Sequence, residues 1–196
     1  MKYSLTGIFL LFILGICMLS SCEEIKKSNN LPKGEGINFT LPNQGEGISF
    51  TLPDQWEIKK IDSTEADFFF MSINKVGFGA SANAFIEWNK GEIALDTVMN
   101  ITQQGYFEHK VFVEGGIKFS APKMESYGTH NALTSEFNVD YKKQIRIGKI
   151  HCFYLKDCNK TVMIAYEQVA VDSAKQKDDF KMIEESFGCK KEAAKK

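Results

Sequence analysis

Across 196 residues the chain carries 43% hydrophobic and 25% charged side chains, an ordinary globular composition that suggests one domain plus appendages. Such a length buries enough surface for a core that needs no metal or disulfide staple. The net charge of −1, with Arg146 the single arginine among 24 basic residues, supplies neither an attractive field nor the guanidinium forks that read phosphate and guanine, which argues against nucleic acid as a partner.

The chain opens on MKYSLTGIFLLFILGICMLSSC. Lys2 gives a short positive start, and the apolar run Leu5 to Leu19 is shorter than the roughly 20 residues of a membrane span, so residues 1–21 read as a secretory signal peptide. Its end, Leu19-Ser20-Ser21-Cys22, resembles the lipobox of bacterial lipoproteins, in position as well as composition. The resemblance implies acylation of Cys22, by palmitate or similar chains, with the cysteine as the mature N-terminus. Each buried CH₂ adds about 0.8 kcal/mol of membrane affinity, so two or three chains make dissociation negligible. The expected location is a lipid anchor in the bacterial cell envelope, the outer membrane favoured over the inner, with the domain outside the cytoplasm. Glu23 and Glu24 are too little signal to decide the leaflet, and a plain secreted protein with an incidental Cys22 is the alternative.

Residues 22–46 are polar and turn-rich, the composition of a flexible tether. This segment holds the first copy of an eleven-residue repeat: Gly34 to Gln44 and Gly45 to Gln55 differ only at Asn38/Ser49 and Asn43/Asp54. Both copies alternate apolar residues at period two and end in Leu-Pro, which stops a strand. Only the second runs on through Trp56 into the domain, so Ile48 to Leu52 is taken as the first native strand and the earlier copy as a duplication in the tether. The sharper reading is that copy one adds an edge strand or competes for the same slot.

The globular domain is placed at 47–189, with a basic tail at 190–196. Ala66 to Ile73 and Ala80 to Trp88 read as strands, with turn residues Gly77-Phe78-Gly79 between them. A helix of about Glu92 to Phe107 follows, with the stripe Leu95, Val98, Met99, Thr102 and Tyr106. Ala132 to Tyr141, Gln144 to Leu155 and Thr161 to Val169 are strands joined by short turns, hence an antiparallel meander. A last helix, about Ser173 to Phe187, has Asp172 as N-cap and Gly188 as C-cap, and seats Phe180, Ile183 and Phe187 on the sheet.

The opening ISFTLPDQW, the helix after the first strands, the meander and the closing FKMIEESF resemble the PsbP-like superfamily of αβα sandwiches. That superfamily includes a lumenal extrinsic subunit of photosystem II, a small Ran-binding factor and many exported bacterial proteins. It implies an α+β fold, mostly antiparallel sheet flanked by helices, and a habit of binding other proteins; no partner-binding motif of those members is matched here.

Chemical motifs are sparse. Gly77 to Ala82 fits G-x-G-x-x-A, but a strand-like NAFIEW follows where a dinucleotide fingerprint needs a helix. His109, His130 and His151 share no metal-ligand spacing, so no metal or cofactor is expected, and no nucleophile elbow is present. Three D-[ST] patterns, at Asp62, Asp96 and Asp172, resemble an O-glycosylation signal of envelope-rich bacteria. Three cysteines fall in the domain. Cys152 sits opposite about Met163 while Cys158 is at the turn tip, too far apart to meet. Cys189 is within reach of either. A Cys158–Cys189 bridge closes a loop worth about 3 to 4 kcal/mol, with unpaired thiols as the alternative. The expectation is a lipid-anchored, non-catalytic interaction module that meets a protein or envelope component near the membrane. The alternatives are a carrier of a small apolar ligand, suggested by 16 phenylalanines, and an unrecognised hydrolase.

Overall fold

A computed structural model describes residues 37–40, 48–65, 68–77, 81–141 and 143–189. Residues 1–36, read as signal peptide, Cys22 and tether, and residues 190–196, read as basic tail, lie outside the described residues. Strands β1 (Ile37–Thr40), β2 (Ile48–Leu52), β3 (Trp56–Glu65), β4 (Phe68–Lys75) and β5 (Ala82–Lys90) lead to helices α1 (Leu95–Glu108) and α2 (Lys110–Glu114). Then come β6 (Lys118–Phe119), β7 (Lys123–Tyr127), β8 (His130–Tyr141), β9 (Gln144–Leu155), β10 (Lys160–Val169), helix α3 (Ser173–Ser186) and β11 (Gly188–Cys189). No helix among the described residues is long and apolar enough to cross a membrane.

One large antiparallel sheet runs in the order β3-β4-β5-β10-β9-β8-β6, and β7 also pairs with β8. Its central strands are apolar on both faces because both faces are covered. In β10, Val162, Ile164 and Tyr166 point to one cluster and Met163 and Ala165 to the other. The run Phe68-Phe69-Phe70 works the same way: Phe69 stacks on Trp88 on one face, and Phe70 meets Phe85 on the other. These phenylalanines are consumed by packing.

Helices α1 and α2 cover one face. The α1 stripe buries Val98, Met99, Thr102 and Tyr106, and Tyr106 packs against Phe112 and Phe137. The other face is covered by α3 and by a small sheet of order β1-β2-β11. There Ile48, Phe50 and Leu52 are buried with Trp56, Ile183 and Phe187. The fold is therefore α+β, mostly antiparallel and flanked by helices.

Several boundaries differ from the sequence reading. The first repeat copy does not run through as spacer: its residues Ile37–Thr40 pair antiparallel with β2, the second of the two roles weighed for it. Helix α3 ends at Ser186, with Phe187 extended as its cap, and Gly188 enters β11 instead of closing the helix in a left-handed turn. Phe187 forces this, because its ring is drawn into the core between Phe50, Tyr127 and Phe153. Asp172 precedes α3, but its carboxylate does not cap the helix. It accepts hydrogen bonds from Ser81 Oγ at 3.0 Å and Lys175 Nζ at 2.7 Å, which pins the helix start to the entry of β5.

Candidate binding groove

The cover on the α3 face is incomplete. The small sheet and α3 lie over the strands around β5 and β10, whereas the outer half of β8 and β9 is bare on this side. Between α3, the β7–β8 hairpin and the bare strands runs a groove of about 1300 Å³. Strand alternation builds its floor: Glu136 and Asn138 of β8, Ile147, Lys149 and His151 of β9, and Tyr166 and Gln168 of β10 all face the same way. Lys177, Phe180, Lys181 and Glu184 of α3 form one wall, and Glu125 with the turn at Gly128 forms the other.

The deep end is aromatic and polar together. Tyr127 and Tyr166 are hydrogen-bonded hydroxyl to hydroxyl. Burial, more than any neighbouring charge, pushes both phenols up, so each stays protonated. His151 Nδ1 lies 2.9 Å from Thr134 Oγ1, and the imidazole ring is 4.8 Å from the Tyr127 ring. Burial first, then the Lys149 ammonium, holds its pKa down at about 4, so the ring is neutral at physiological pH. Gln168 Oε1 is buried without a hydrogen-bond partner among the described residues. A neutral imidazole, the Tyr166 phenol and an amide offer hydrogen bonds without net charge.

The rim is charged in both signs. It carries Lys118, Lys149, Lys177 and Lys181 against Glu125, Glu136, Glu184 and Glu185. Lys149 pairs with Glu136 at 2.6 Å and Lys181 with Glu185 at 3.6 Å. Glu184 accepts the Gly128 backbone N–H at 2.9 Å, tying α3 to the hairpin turn.

The opposite face hides a second polar group. Glu87 of β5 is buried, and burial, opposed by a hydrogen bond from Asn89, raises its carboxyl to about 7. Glu167 is raised in the same way, opposed by its ion pair with Arg146. Arg146, the one arginine, is thus spent inside the fold. Cys152 lies opposite Met163, as the turn geometry required, and burial raises its thiol, so it is a poor nucleophile.

The remaining residues singled out in the sequence are scattered. Cys158, in the 3₁₀ turn between β9 and β10, is joined by a disulfide to Cys189 of β11, with Cα atoms 5.9 Å apart. His130 stacks on Phe153 and bonds the Phe187 carbonyl, and His109 abuts Phe112, both far from any ligand-like spacing. No group of three His, Cys, Asp or Glu side chains among the described residues could hold a metal. After Gly77 comes the strand β5, and residues 78–80 lie outside the described residues. Of the D-[ST] patterns, Thr97 is exposed at the start of α1, with its N–H bound to Asp96 Oδ1 at 2.7 Å.

Apart from His151 and Phe180, none of the groove residues named above stands out in the sequence. One signal was there: β8 from Glu136 on reads Glu-Phe-Asn-Val-Asp, polar on one face and apolar on the other, whereas β10 is apolar on both. A strand with one wet face, two places along the sheet from a strand that is apolar on both, marks where the cover stops.

No protein family matches the sequence, and no curated protein resembles it. Solved structures do. LpqN, described as involved in cell envelope biogenesis of Mycobacterium tuberculosis, matches with a TM-score of 0.52 at 13% identity, over 78% of this chain and 90% of that one. A protein of Bacteroides thetaiotaomicron matches at 0.51 and 13% identity over 83% of this chain, which spans about half (52%) of that structure's length. The solution structure of PsbP from a cyanobacterium, Synechocystis, gives 0.49 at 12% identity, over 88% and 99% of the two chains. The first two likenesses define a shared α+β fold, and at such identity the fold carries no activity with it.

Proposed function

We propose that this chain is a lipid-anchored binding module of the bacterial envelope whose groove between α3 and β8–β10 holds a segment of another protein, without catalysis. The observation that carries the reading is the bare half of the sheet face, a groove of about 1300 Å³ with a neutral hydrogen-bonding deep end and a rim that carries both signs. Balanced charge suits a polypeptide that presents both signs, and complementary charge fixes its register and orientation more than it adds affinity. A polyanion would find two of the four rim lysines, Lys149 and Lys181, already paired with Glu136 and Glu185. The description of LpqN as an envelope biogenesis protein supports an extracytoplasmic setting, and LSSC supports the anchor at Cys22.

The test inverts the rim without dismantling it. Exchanging the paired charges, Glu136→Lys with Lys149→Glu, keeps an ion pair at the same place and reverses the pattern a partner meets. Affinity capture from solubilised membranes of the source bacterium is expected to recover a reproducible partner with the unaltered chain and to lose it with the exchanged one, at equal melting temperature. Equal recovery by both, or no reproducible partner at all, contradicts the reading. A small apolar ligand carrier is told apart by native mass spectrometry, which would then show a bound lipid mass. The anchor has its own check: Cys22→Ser is expected to leave the membrane fraction and to take up no labelled palmitate.

A further inference from the structure

The repeat makes the edge of β2 complementary to itself. In the register of the pair, Phe39 faces Phe50, its own equivalent in the second copy. Asn38 faces Thr51, the equivalent of Thr40, and Thr40 faces Ser49, the equivalent of Asn38. Ile37 faces Leu52, the equivalent of Leu41. Each position therefore meets the mirror position of the same sequence about a centre at Phe39/Phe50. That is the arrangement two copies of one strand adopt across a twofold axis.

The backbone agrees. The Thr51 N–H is bonded to Ser186 Oγ at 2.8 Å, and Ser49 pairs with Gly188, so the main-chain groups of Ser49 and Thr51 point to the β11 side. By alternation those of Ile48, Phe50 and Leu52 point to the β1 side, and Phe39/Phe50 is a mutually hydrogen-bonded pair. Strand β2 holds its place through its own side chains, Ile48, Phe50 and Leu52, all buried in the core. Its outer edge is set by the domain, and β1 fills it.

We propose that the outer edge of β2 is a homotypic pairing site, closed within the chain by β1 and available to β2 of a second copy of this chain whenever β1 is withdrawn. An unpaired edge with a self-complementary sequence pairs with its like. The seven residues between β1 and β2, 41–47, hold β1 at high effective concentration, so closure within the chain dominates and the intact protein is monomeric.

Two changes uncover the edge: deletion of residues 34–44, and Phe39→Pro in the full chain, which removes the central N–H donor of β1 and leaves the second copy untouched. Light scattering on a sizing column is expected to give a single-chain mass for the unaltered protein and a doubled mass for both variants. Added peptide GEGINFTLPNQ is expected to return both variants to one chain per particle, and the same peptide with Phe39→Pro to leave them doubled. Variants that stay monomeric with native melting, doubled species that the peptide does not dissociate, or unfolding of both variants would each overturn the proposal, the last because β2 would then depend on β1 for its place.

Discussion

Two buried side chains give this protein opposite responses to pH. The Glu87 carboxyl is raised from 4.5 to about 7 by burial, so the folded state keeps a proton that the unfolded chain has lost. The stability tied to this group is complete below about pH 4.5 and is lost as pH rises through 7, a difference of about 3 kcal/mol at most. His151 runs the other way: its folded value of about 4 lies below 6.5, so its contribution is present above 6.5 and lost as pH falls through 4. Glu87→Gln isolates the first limb. Urea titrations are expected to show it more stable than the unaltered chain by up to about 3 kcal/mol at pH 8 and equal to it near pH 4.5. A gain of the same size at both values would contradict the assignment. At the edge of α3, Asp179 Oδ2 accepts from Trp56 Nε1 at 2.9 Å and Lys75 Nζ at 2.7 Å. Asp179→Ala leaves a buried indole donor unmet and is expected to cost about 1 to 3 kcal/mol, read by denaturant unfolding.

At the scale of elements, four ties set α3 over the sheet: Asp172 at its start, Asp179 at its middle, Glu184 at the β7–β8 turn, and the disulfide just beyond its end. Reduction, or Cys189→Ser, opens a loop closed across 31 residues and is expected to lower stability by about 3 to 4 kcal/mol in the chain-entropy account. A melting temperature that reductant leaves unchanged would contradict it. Gly128 is a tight contact in the groove wall. Its φ is +56°, and a Cβ there would lie 2.5 Å from the Glu184 carbonyl oxygen. Gly128→Ala is expected to lose about 1 to 3 kcal/mol and to push α3 away from the hairpin. Elements that carry their own period were legible in the sequence: the α1 stripe, the meander from Ala132 to Val169, and Phe180 and Ile183 on the last helix. Those that depend on a neighbour were not. β3 reads WEIKKIDSTE and among the described residues pairs only with β4, β6 and β7 share the outer edge of β8, and α2 is a five-residue turn of helix held by Phe112. The two-residue β6, the mostly exposed β7 and the five-residue α2 have too little of one face buried to write a period of their own. The same reason hides the groove, whose walls come from segments as far apart as Lys118 and Glu185 and whose residues are polar because nothing covers them.

The whole molecule is an antiparallel sheet covered by two helices on one face and by a helix with a small sheet on the other, except over β8 and β9. The cysteine bridge, the aromatic core at Phe187 and the pins at Asp172, Asp179 and Glu184 make the covered half rigid, and this fixes the floor and walls of the uncovered half in advance of any partner. The most direct measurement places a photo-crosslinking amino acid at Asn138, exposed on the groove floor, and as a control at Val113, exposed on α2 on the opposite face. A groove that binds a protein segment gives one reproducible adduct from Asn138 and none from Val113 when the full-length chain is irradiated in membranes of the source bacterium. Adducts of equal yield from both positions, or from neither, would contradict it.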